Sequence, residues 1–331
     1  MEANQILSIV IPTYNRADFL DYCLEVHIPL AREHNIQIFV SDNASTDSTQ
    51  EVMQKWMKEY SLLKYHRNEC NIGPDKNFEI GLGLPDTEYI WLLGDTYKIP
   101  SRGIQYLLEL ISHRDCQYDA FIFNLENKLT CKQKNYNIHN ALLFDLGALM
   151  TCLSCLVYSR QLIQNANFSK YYDTYFMQEG IIFEDITKRD FLIHWTQEYS
   201  IEGLNHPYLR KNNWSNTSKA LEIGCEKWTN FIFSLPSIYT LESKKKCIMD
   251  FGKVSGLFSL KNLMILRIEN ILTIDTFFKY KDFFTFTIAY PKFLILTVSI
   301  LPRQIFTKLG ILSILLKKKD RKNKIKQFLK R

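Results

Sequence analysis

The sequence lacks the features that identify several common protein classes. No Gly-x-Gly-x-x-Gly follows the first run of β-branched residues, Leu7–Ile11, and this absence argues against a dinucleotide-binding enzyme. Met1–Asn15 lacks the charged region and the small-residue cleavage site of a secretory signal. We therefore expect a cytoplasmic protein that does not bind a nicotinamide or flavin dinucleotide.

The chain also lacks a long uninterrupted apolar run, and its one candidate for a membrane span is at best marginal. Phe283–Pro302 is strongly apolar, but Pro291 and Lys292 interrupt it, so that the longest uncharged stretch in this segment is 293–302. A spanning helix needs about 20 apolar residues. The segment is instead typical of an interfacial hairpin or a pair of amphipathic helices that lie on a membrane.

Acidic residues are scarce at the end of the chain. Residues 301–331 contain 11 Lys and Arg and one acid, and the net charge of +6 therefore leaves −4 for the rest. A polybasic run next to apolar segments favours attraction to an anionic membrane surface, although such runs are also found as solvated tails. The absence of a basic face in the remainder argues against a nucleic-acid partner.

Cysteines are present but lack a metal-binding arrangement. The eight cysteines are Cys23, Cys70, Cys116, Cys131, Cys152, Cys155, Cys225 and Cys247. Only Cys152 and Cys155 have the spacing of half a zinc site, and the residues around them are apolar. The pattern favours buried, reduced thiols in a cytoplasmic protein over a zinc site.

Short apolar runs alternate with helical patterns through the first 112 residues. The predicted strands are Leu7–Ile11, Ile36–Val40, Leu62–Tyr65 and Tyr89–Leu93, and helices are predicted after Asn15, from Ser48, after Pro74 and over Arg102–Ser112. Such alternation predicts βαβ units and an α/β fold with a mostly parallel sheet. Right-handed crossovers bring the turns after the strands to one edge of the sheet. Because the polar residues concentrate in those turns, we expect a binding cleft there.

The pattern is weaker beyond this half. Ala120–Leu125, Leu142–Leu146 and Leu149–Val157 are interpreted as further strands, and Ile181 begins a predicted helix that runs to about Trp195. From Ser234 the strand–turn–helix rhythm is lost and the chain becomes helical. The sequence therefore predicts two parts, a domain over 1–233 and a helical, membrane-associating region over 234–331.

Four polar turns resemble those of the family 2 glycosyltransferases, which have the GT-A fold. The matching segments are Ser8–Arg16 (SIVIPTYNR), Val40–Thr49 (VSDNASTDST), Asn71–Phe78 (NIGPDKNF) and Tyr89–Asp95 (YIWLLGD). A weaker fifth match is the pair Glu184-Asp185. The resemblance covers about residues 5 to 200 and leaves out the C-terminal third.

The resemblance implies roles for individual residues. The residues that it assigns to the nucleotide-sugar are Pro12, Thr13, Tyr14, Arg16, Asp42, Asn43, Asn71, Gly73, Lys76 and Asp95. Among them, Asp42 is a carboxylate that can accept the N3–H of uracil. Asp95 stands where the family holds Mg²⁺ or Mn²⁺ on the diphosphate. Asp185, with Glu184 as the alternative, corresponds to the general base of an inverting transfer.

The sequence departs from the family at the metal position. Where many members read Gly-Asp-Asp-Asp, this chain reads Gly94-Asp95-Thr96-Tyr97. One carboxylate is a thin protein site for a hard divalent cation, although Mg²⁺ often binds through waters and substrate phosphates. Three interpretations stay open: a metal held by Asp95, water and the donor; cations in place of the metal; or impaired transfer. The candidate cations are Lys76, Lys98, Arg102, Arg210 and Lys211.

The predicted function follows from the resemblance and the tail. We expect an inverting glycosyltransferase that is peripheral on the inner face of the cell membrane. It would move a sugar from a nucleotide-diphospho-sugar, with a UDP-sugar as the preferred donor, to a lipid-linked or glycan acceptor. The pathway would be cell-surface polysaccharide biosynthesis. The alternative is a non-catalytic nucleotide-sugar-binding or scaffold protein, and Thr96 and Tyr97 favour it.

Overall fold

A computed structural model of the chain describes residues 3–112, 117–206, 209 and 214–307. Within these ranges the chain forms two compact units. The first lies within Met1–Lys211 and Phe231–Cys247, and the second within Asn212–Asn230 and Ile248–Arg331. The boundary predicted between residues 233 and 234 falls inside the segment that clusters with the first unit.

The first unit is built on a mixed sheet with the order β3-β2-β1-β4-β8-β6-β9-β5, and β7 pairs with β9. Its strands are β1 (Leu7–Thr13), β2 (Gln37–Asp42), β3 (Leu63–Arg67), β4 (Tyr89–Leu92), β5 (Tyr97–Lys98), β6 (Ala120–Leu125), β7 (Lys134–Tyr136), β8 (Leu156–Ser159) and β9 (Ile193–Gly203). Strands β1, β2, β3, β4, β6 and β9 run in one direction, because β8 is antiparallel to both of its neighbours. The described sheet is therefore mostly parallel, as the alternation of patterns predicts.

Helices connect and flank these strands. They are α1 (Ala3–Ile6), α2 (Ala17–Glu33), α3 (Thr49–Glu59), α4 (Pro74–Gly83), α5 (Ser101–Ser112), α6 (His139–Met150), α7 (Arg160–Asn165), α8 (Met177–Asp185), α9 (Trp228–Ser234), α10 (Leu241–Ser255), α11 (Leu260–Ile268), α12 (Ile274–Tyr280), α13 (Phe284–Thr287) and α14 (Lys292–Ile300). Glu222–Lys227 is a π-helical turn.

The parallel half has the structure predicted from its apolar runs. Every residue of β1 and of β4 is buried, as expected for strands covered on both faces. Helix α4 lies close against β1: a Cβ added to Gly81 would come within 2.9 Å of the Cγ1 atom of Val10. Gly81 therefore allows α4 to pack directly against β1.

Two of the predicted strands are wrong. Leu142–Leu146 lies in α6, and Leu149–Val157 comprises the end of α6, a 3₁₀ turn at Leu153–Cys155 and the start of β8. Helix α6 is buried along most of its length, so its apolar residues form a continuous run rather than a helical stripe. A short continuous run does not distinguish a buried strand from a buried helix.

The predicted helix over Ile181–Trp195 is correct only in its first part. Helix α8 ends at Asp185, a 3₁₀ turn follows over Ile186–Lys188, and Trp195 lies in the long strand β9. Aromatic and β-branched residues at Ile193, Trp195 and Thr196 favour that strand.

The second unit is helical among its described residues, as predicted for the region beyond Ser234. It contains α11 to α14, and Pro291 immediately precedes α14. None of the helices in the described ranges is long and apolar enough to cross a membrane.

Candidate active site

The predicted cleft lies at the carboxyl edge of the parallel strands. Thr13 ends β1 and pairs in register with Asp42, which ends β2. The turn that contains Asp95 follows β4, and the backbone N–H of Leu93 donates to the carbonyl of Val10 at 2.8 Å. Three of the polar turns therefore start from adjacent strand ends, the position where α/β sheets bind ligands.

The first two turns are joined by hydrogen bonds. The backbone N–H of Asn43 donates to Thr13 O at 3.0 Å, and that of Asn15 donates to Ser45 Oγ at 2.8 Å. Asp47 Oδ2 accepts from the backbone N–H of Ala17 at 2.9 Å and so caps α2 from the other turn. These contacts join the turn after β1 and the turn after β2 into one side of the cleft, which we refer to as the wall.

Helix α3 is capped by Asp47 and not by its N-cap residue, Ser48. The Ser48 side chain makes no cap hydrogen bond. Asp47 Oδ1 instead accepts from the backbone N–H of Thr49 at 3.1 Å and from its hydroxyl at 2.5 Å. Asp47 thus serves the starts of two helices.

Asn43 joins the third turn to this wall. Its Nδ2 donates to Asn71 Oδ1 at 2.8 Å, and its Oδ1 accepts from the backbone N–H of Ile72 at 2.9 Å. Gly73 follows with φ of 87° and ψ of 162°, a conformation that is essentially restricted to glycine. Gly73 thereby turns the chain into α4 and brings the start of that helix to the cleft.

Asp42 has a structural environment that the sequence did not predict. Its side chain is fully buried. Oδ1 accepts from the backbone N–H and the hydroxyl of Ser45, and Oδ2 accepts from the Tyr65 hydroxyl at 2.6 Å, with Arg67 Nε at 3.6 Å. These contacts satisfy the carboxylate from within the protein, so in this conformation Asp42 organises the wall. Its role as a ligand of the base stays a prediction.

Other predicted donor ligands differ in accessibility. Pro12 is buried in β1, Tyr14 is 42% exposed, and Lys76 is exposed with Nζ 5.4 Å from the centre of the Tyr172 ring. The hydroxyl of Thr13 is buried and has no hydrogen-bond partner. A buried hydroxyl without a partner at a strand end is suited to hydrogen bonding a ligand.

Asp95 is paired with a cation. Its Oδ2 lies 2.6 Å from Arg16 Nε, and the Arg16 guanidinium stacks 4.4 Å from the centre of the Phe19 ring. No group of three or more His, Cys, Asp and Glu side chains within the described ranges is arranged to hold a metal ion. A single carboxylate that already pairs with an arginine does not fit a protein-built Mg²⁺ or Mn²⁺ site. The metal therefore stays a prediction.

Tyr97 stands where the family motif Gly-Asp-Asp-Asp has its last Asp, and its side chain contacts the Cys152 thiol. It hydrogen bonds to Cys152, and this interaction together with burial raises the pKa of Tyr97. Next to it, the backbone N–H of Gly94 donates to Ser154 Oγ at 3.0 Å, and Trp91 Nε1 donates to Ser154 O at 2.9 Å. The Cys152–Cys155 turn, in which Ser154 and Cys155 are buried, thus holds the end of β4.

The remaining predicted cations are distributed differently. Lys98 and Arg102 are exposed. Arg210 and Lys211 lie outside the described residues. Arg16, which the sequence associated with the donor only through the resemblance, is the cation that the structure places directly on Asp95.

The structure does not bring the predicted base, Asp185, to these turns. Asp185 Oδ2 lies 2.6 Å from Arg189 Nη2, and Arg189 Nη1 lies 2.5 Å from Asp119 Oδ1. Asp119 precedes β6, which runs parallel to β1 and β4, so this ion-pair cluster is at the opposite edge of the sheet from the cleft. Glu184, the alternative, is bound to Lys170 at 2.7 Å and to the Tyr171 hydroxyl at 2.8 Å.

The other end of α8 lies near the cleft. The Gln178 side chain donates to Thr151 O at 3.0 Å, and Thr151 leads directly into the turn that holds Gly94. Before α8, the backbone N–H of Asp173 donates at 2.7 Å to Asp75 Oδ2 in the first turn of α4. These contacts tie the start of α8 to the cleft edge.

Glu179 is a carboxylate at this end that the sequence interpretation missed. It is fully buried in the first turn of α8, and neither of its oxygens has a hydrogen-bond partner. Burial raises the pKa of Glu179 well above its ordinary value. A recognised helix start would have revealed it, because α8 begins four residues before the predicted start at Ile181.

Comparisons with known proteins agree with this architecture. Residues 8–165 match the family model described as "Glycosyl transferase family 2". The abequosyltransferase RfbV of Salmonella typhimurium is 33% identical over 119 residues, which are 35% of each chain. A Campylobacter jejuni protein, GalNAc(5)-diNAcBac-PP-undecaprenol beta-1,3-glucosyltransferase, is 30% identical over 104 residues, 31% of this chain and 33% of its own. The chain thus spans about a third of the curated relatives it matches.

A solved structure extends the similarity in fold beyond these segments. The Pyrobaculum calidifontis mannosyltransferase PcManGT, in complex with GDP-Man and Mn²⁺, superposes with a TM-score of 0.53 at 12% identity, over 90% of this chain and 86% of its own. This similarity confirms the predicted GT-A fold. The family match places the resemblance to glycosyl transferase family 2 in residues 8–165, a little under half of the chain.

Proposed function

We propose that the protein is an inverting glycosyltransferase that moves a sugar from a nucleotide-diphospho-sugar to a lipid-linked or polysaccharide acceptor in cell-surface polysaccharide biosynthesis. The observation that carries the proposal is the wall of joined turns at the carboxyl edge of the sheet, in which Asn43 contacts both Thr13 and the Asn71 turn. Loops joined in this way form one site rather than separate solvated turns.

In this proposal the donor lies across the ends of β1, β2 and β4. The free hydroxyl of Thr13 and the exposed Tyr14 ring are available to the nucleoside. Arg16 and Lys76 supply positive charge for the diphosphate. Such charge stabilises the nucleoside diphosphate as its bond to the anomeric carbon breaks. The predicted preference for UDP depends on Asp42, whose carboxylate oxygens have partners within the protein. The donor panel below therefore includes sugars on three different nucleotides.

We assign the general base to Glu179. The acceptor hydroxyl must lose its proton as it attacks the anomeric carbon, and a positioned base typically contributes about 10²–10⁴-fold. A carboxyl group with a raised pKa is a better proton acceptor than an ordinary one once it is ionised. Its place in the first turn of α8 favours that ionised form through the helix dipole. Direct displacement inverts the configuration at the anomeric carbon.

The acceptor and the location are inferred from different observations. The Campylobacter relative is named for a sugar chain on PP-undecaprenol, which is a lipid-linked acceptor. The basic tail favours an anionic membrane surface. We therefore place the protein at the inner face of the cell membrane, as a peripheral protein that meets its acceptor there.

A donor panel tests the proposal. UDP-, GDP- and dTDP-sugars are added to the full chain with a lipid extract, with Mn²⁺, with Mg²⁺ or with a chelator, and nucleotide release and glycolipid formation are measured. We expect one donor to be consumed in an acceptor-dependent way, and NMR of the product to show an inverted anomeric configuration. Failure of every donor to bind would refute the proposal.

A non-catalytic role is the second candidate, and the Asp95 turn favours it. Thr96 and Tyr97 replace family carboxylates, and Arg16 occupies the remaining one. Donor binding without turnover in any condition of the panel would support this role. Acceptor-dependent turnover would exclude it.

A further inference from the structure

Two helices of the second unit expose large apolar side chains. On α12, Ile274 is 45% exposed and Phe278 is 56% exposed, and their spacing of four residues places them on one helix face. On α14, Phe293 is 72% exposed and Ile300 is 53% exposed, seven residues apart on one face. We refer to these four residues as the apolar surface of α12 and α14.

Both helices also have an inner face. Phe277 and Tyr280 of α12 and Ile295 and Val298 of α14 are buried. The two helices pack on each other within the second unit. Five of the eleven large hydrophobic side chains exposed among the described residues lie within 274–305. Such a concentration marks an interaction surface.

Basic residues accompany this apolar surface. Lys281 Nζ lies 6.0 Å from the centre of the Phe278 ring, and Lys292 directly precedes Phe293. From residue 271 onward the sequence contains 14 Lys and Arg and three Asp and Glu, whereas residues 1–270 carry a net charge of −5. The charge that complements an anionic partner is thus confined to the part of the chain that exposes the apolar surface.

We propose that Ile274, Phe278, Phe293 and Ile300 insert into the headgroup region of an anionic bilayer, with the neighbouring lysines at the lipid phosphates. Aromatic residues on one face with lysines beside them are typical of helices that lie in a membrane interface. The centres of protein–protein interfaces are depleted of lysine, so the composition favours lipid over a protein partner or a second copy. The inference extends the proposed function, because this surface brings the protein to the layer that contains a lipid-linked acceptor.

Vesicle binding by the full chain tests the inference without any transfer assay. Vesicles contain phosphatidylcholine and phosphatidylglycerol in equal parts, or phosphatidylcholine alone. The test variant is Phe278→Ser with Phe293→Ser, and the matched control is Ile138→Ser, which removes an apolar side chain that is 60% exposed in the first unit. Each buried Phe contributes about 10- to 100-fold to partitioning. We expect the double variant to bind anionic vesicles at least tenfold more weakly and the control to bind like the wild type.

Three outcomes would overturn the inference. The double variant and the wild type could bind alike, the control could lose as much as the double variant, or the wild type could ignore phosphatidylglycerol. Sedimentation of the free proteins is measured in parallel, and dimers lost only in the double variant, with vesicle binding unchanged, would assign the surface to a second copy. Expected vesicle binding without transfer would retain this inference and refute only the proposed function.

Discussion

The two ends of helix α8 present carboxylates in opposite states. At its start, Glu179 is buried without a hydrogen-bond partner. At its end, Glu184 and Asp185 are held by Lys170 and Arg189. The two ends are separated by six residues, about 9 Å along the helix. Only the start is tied to the cleft, through Gln178 and Thr151.

The difference shows why two adjacent acidic residues in a sequence are weak evidence for the position of a catalytic base. A carboxylate with a cation at hydrogen-bond distance already has a partner and is less available to an acceptor hydroxyl. A carboxylate that is buried without a partner costs stability, and proteins seldom retain such a group without a use for it. The environment of Glu179 therefore fits a base better than that of Asp185, although the letters Glu184-Asp185 resemble the family pattern.

The largest expected effect compares Glu179→Gln with Asp185→Asn. Loss of a general base lowers kcat by about 10²–10⁴-fold, and we expect this loss for Glu179→Gln with little change in donor affinity. Asp185→Asn is expected to stay within about tenfold, because its carboxylate contacts Arg189 at the opposite edge. Single-turnover transfer and donor binding measured separately distinguish the two effects. A larger loss for Asp185→Asn would reverse the comparison and restore the sequence-based assignment.

The pH profile of kcat sharpens this comparison. Burial raises the pKa of Glu179, so the base is protonated at low pH and activity is expected to rise with pH. Glu179→Gln is expected to lose this dependence while its small residual activity remains. A structural role for Glu179 alone would lower activity without changing the shape of the profile.

A second comparison concerns Asp95, a carboxylate with a cation that lies inside the cleft. Asp95→Asn removes the charged partner of Arg16, and a hydrogen bond to a charged group contributes about 1.5–3 kcal/mol. We expect donor affinity to fall by about 10- to 100-fold, because Arg16 loses the carboxylate that holds it in position for the diphosphate. Titration with Mn²⁺ decides what Asp95 holds. If Asp95→Asn leaves affinity unchanged without metal but abolishes a metal-dependent increase, the carboxylate is a metal ligand and not only a partner of Arg16.

The parallel half of the fold could be predicted from the sequence, and the reasons are local. Strands β1 and β4 are short apolar runs that polar turns follow directly, and their edge of the sheet follows from right-handed crossovers. The joining of the turns could not be predicted in detail. Asp47 caps α2 across 30 residues of sequence, and no pattern within α2 indicates that partner.

The second half was harder to predict because burial hides periodicity. Helix α6 is apolar on nearly all sides, so its sequence shows the same continuous apolar run as a buried strand. The antiparallel strand β8 also breaks the βαβ rhythm on which the prediction depended. The missed start of α8 follows from the same loss of pattern. The sequence-based base, Asp185, stays a prediction, and it lies at the end of α8 that is farther from the cleft.

Gly73 provides a smaller effect with a matched control in the same helix region. Gly73→Ala places a side chain at φ of 87°, and residues in such conformations cost about 1–3 kcal/mol. A Cβ at either Gly73 or Gly83 would meet no atom within 4 Å, so the two variants differ in backbone conformation and not in space. We expect Gly73→Ala to lower the free energy of unfolding and Gly83→Ala, at the end of α4, to leave it unchanged or raise it. Equal effects in urea unfolding would show that the turn relaxes.

The smallest expected effect is the pH dependence of the free energy of unfolding that the carboxylates at the two ends of α8 contribute. Because burial raises the pKa of Glu179, the folded protein retains a proton that the unfolded chain loses above a pKa of about 4.3. The stability from this group is complete below that pH and is lost as pH rises, by at most about 1.4 kcal/mol per pH unit. Glu179→Gln keeps a neutral group in place, so its advantage over the wild type is expected to grow with pH.

The contribution of Glu184 to stability changes with pH in the opposite direction. Burial opposes the shift, but Lys170 and Tyr171 hold the pKa of Glu184 below its ordinary value. Its stabilising contribution is therefore present above the pKa of the unfolded chain and is lost as pH falls through the lower folded pKa. Urea unfolding of the wild type, Glu179→Gln and Glu184→Gln at a series of pH values measures both slopes. Opposite slopes are expected because the two carboxylates of one helix differ in burial and in their partners. Parallel slopes would mean that Glu179 is ionised in the folded protein and already has a partner.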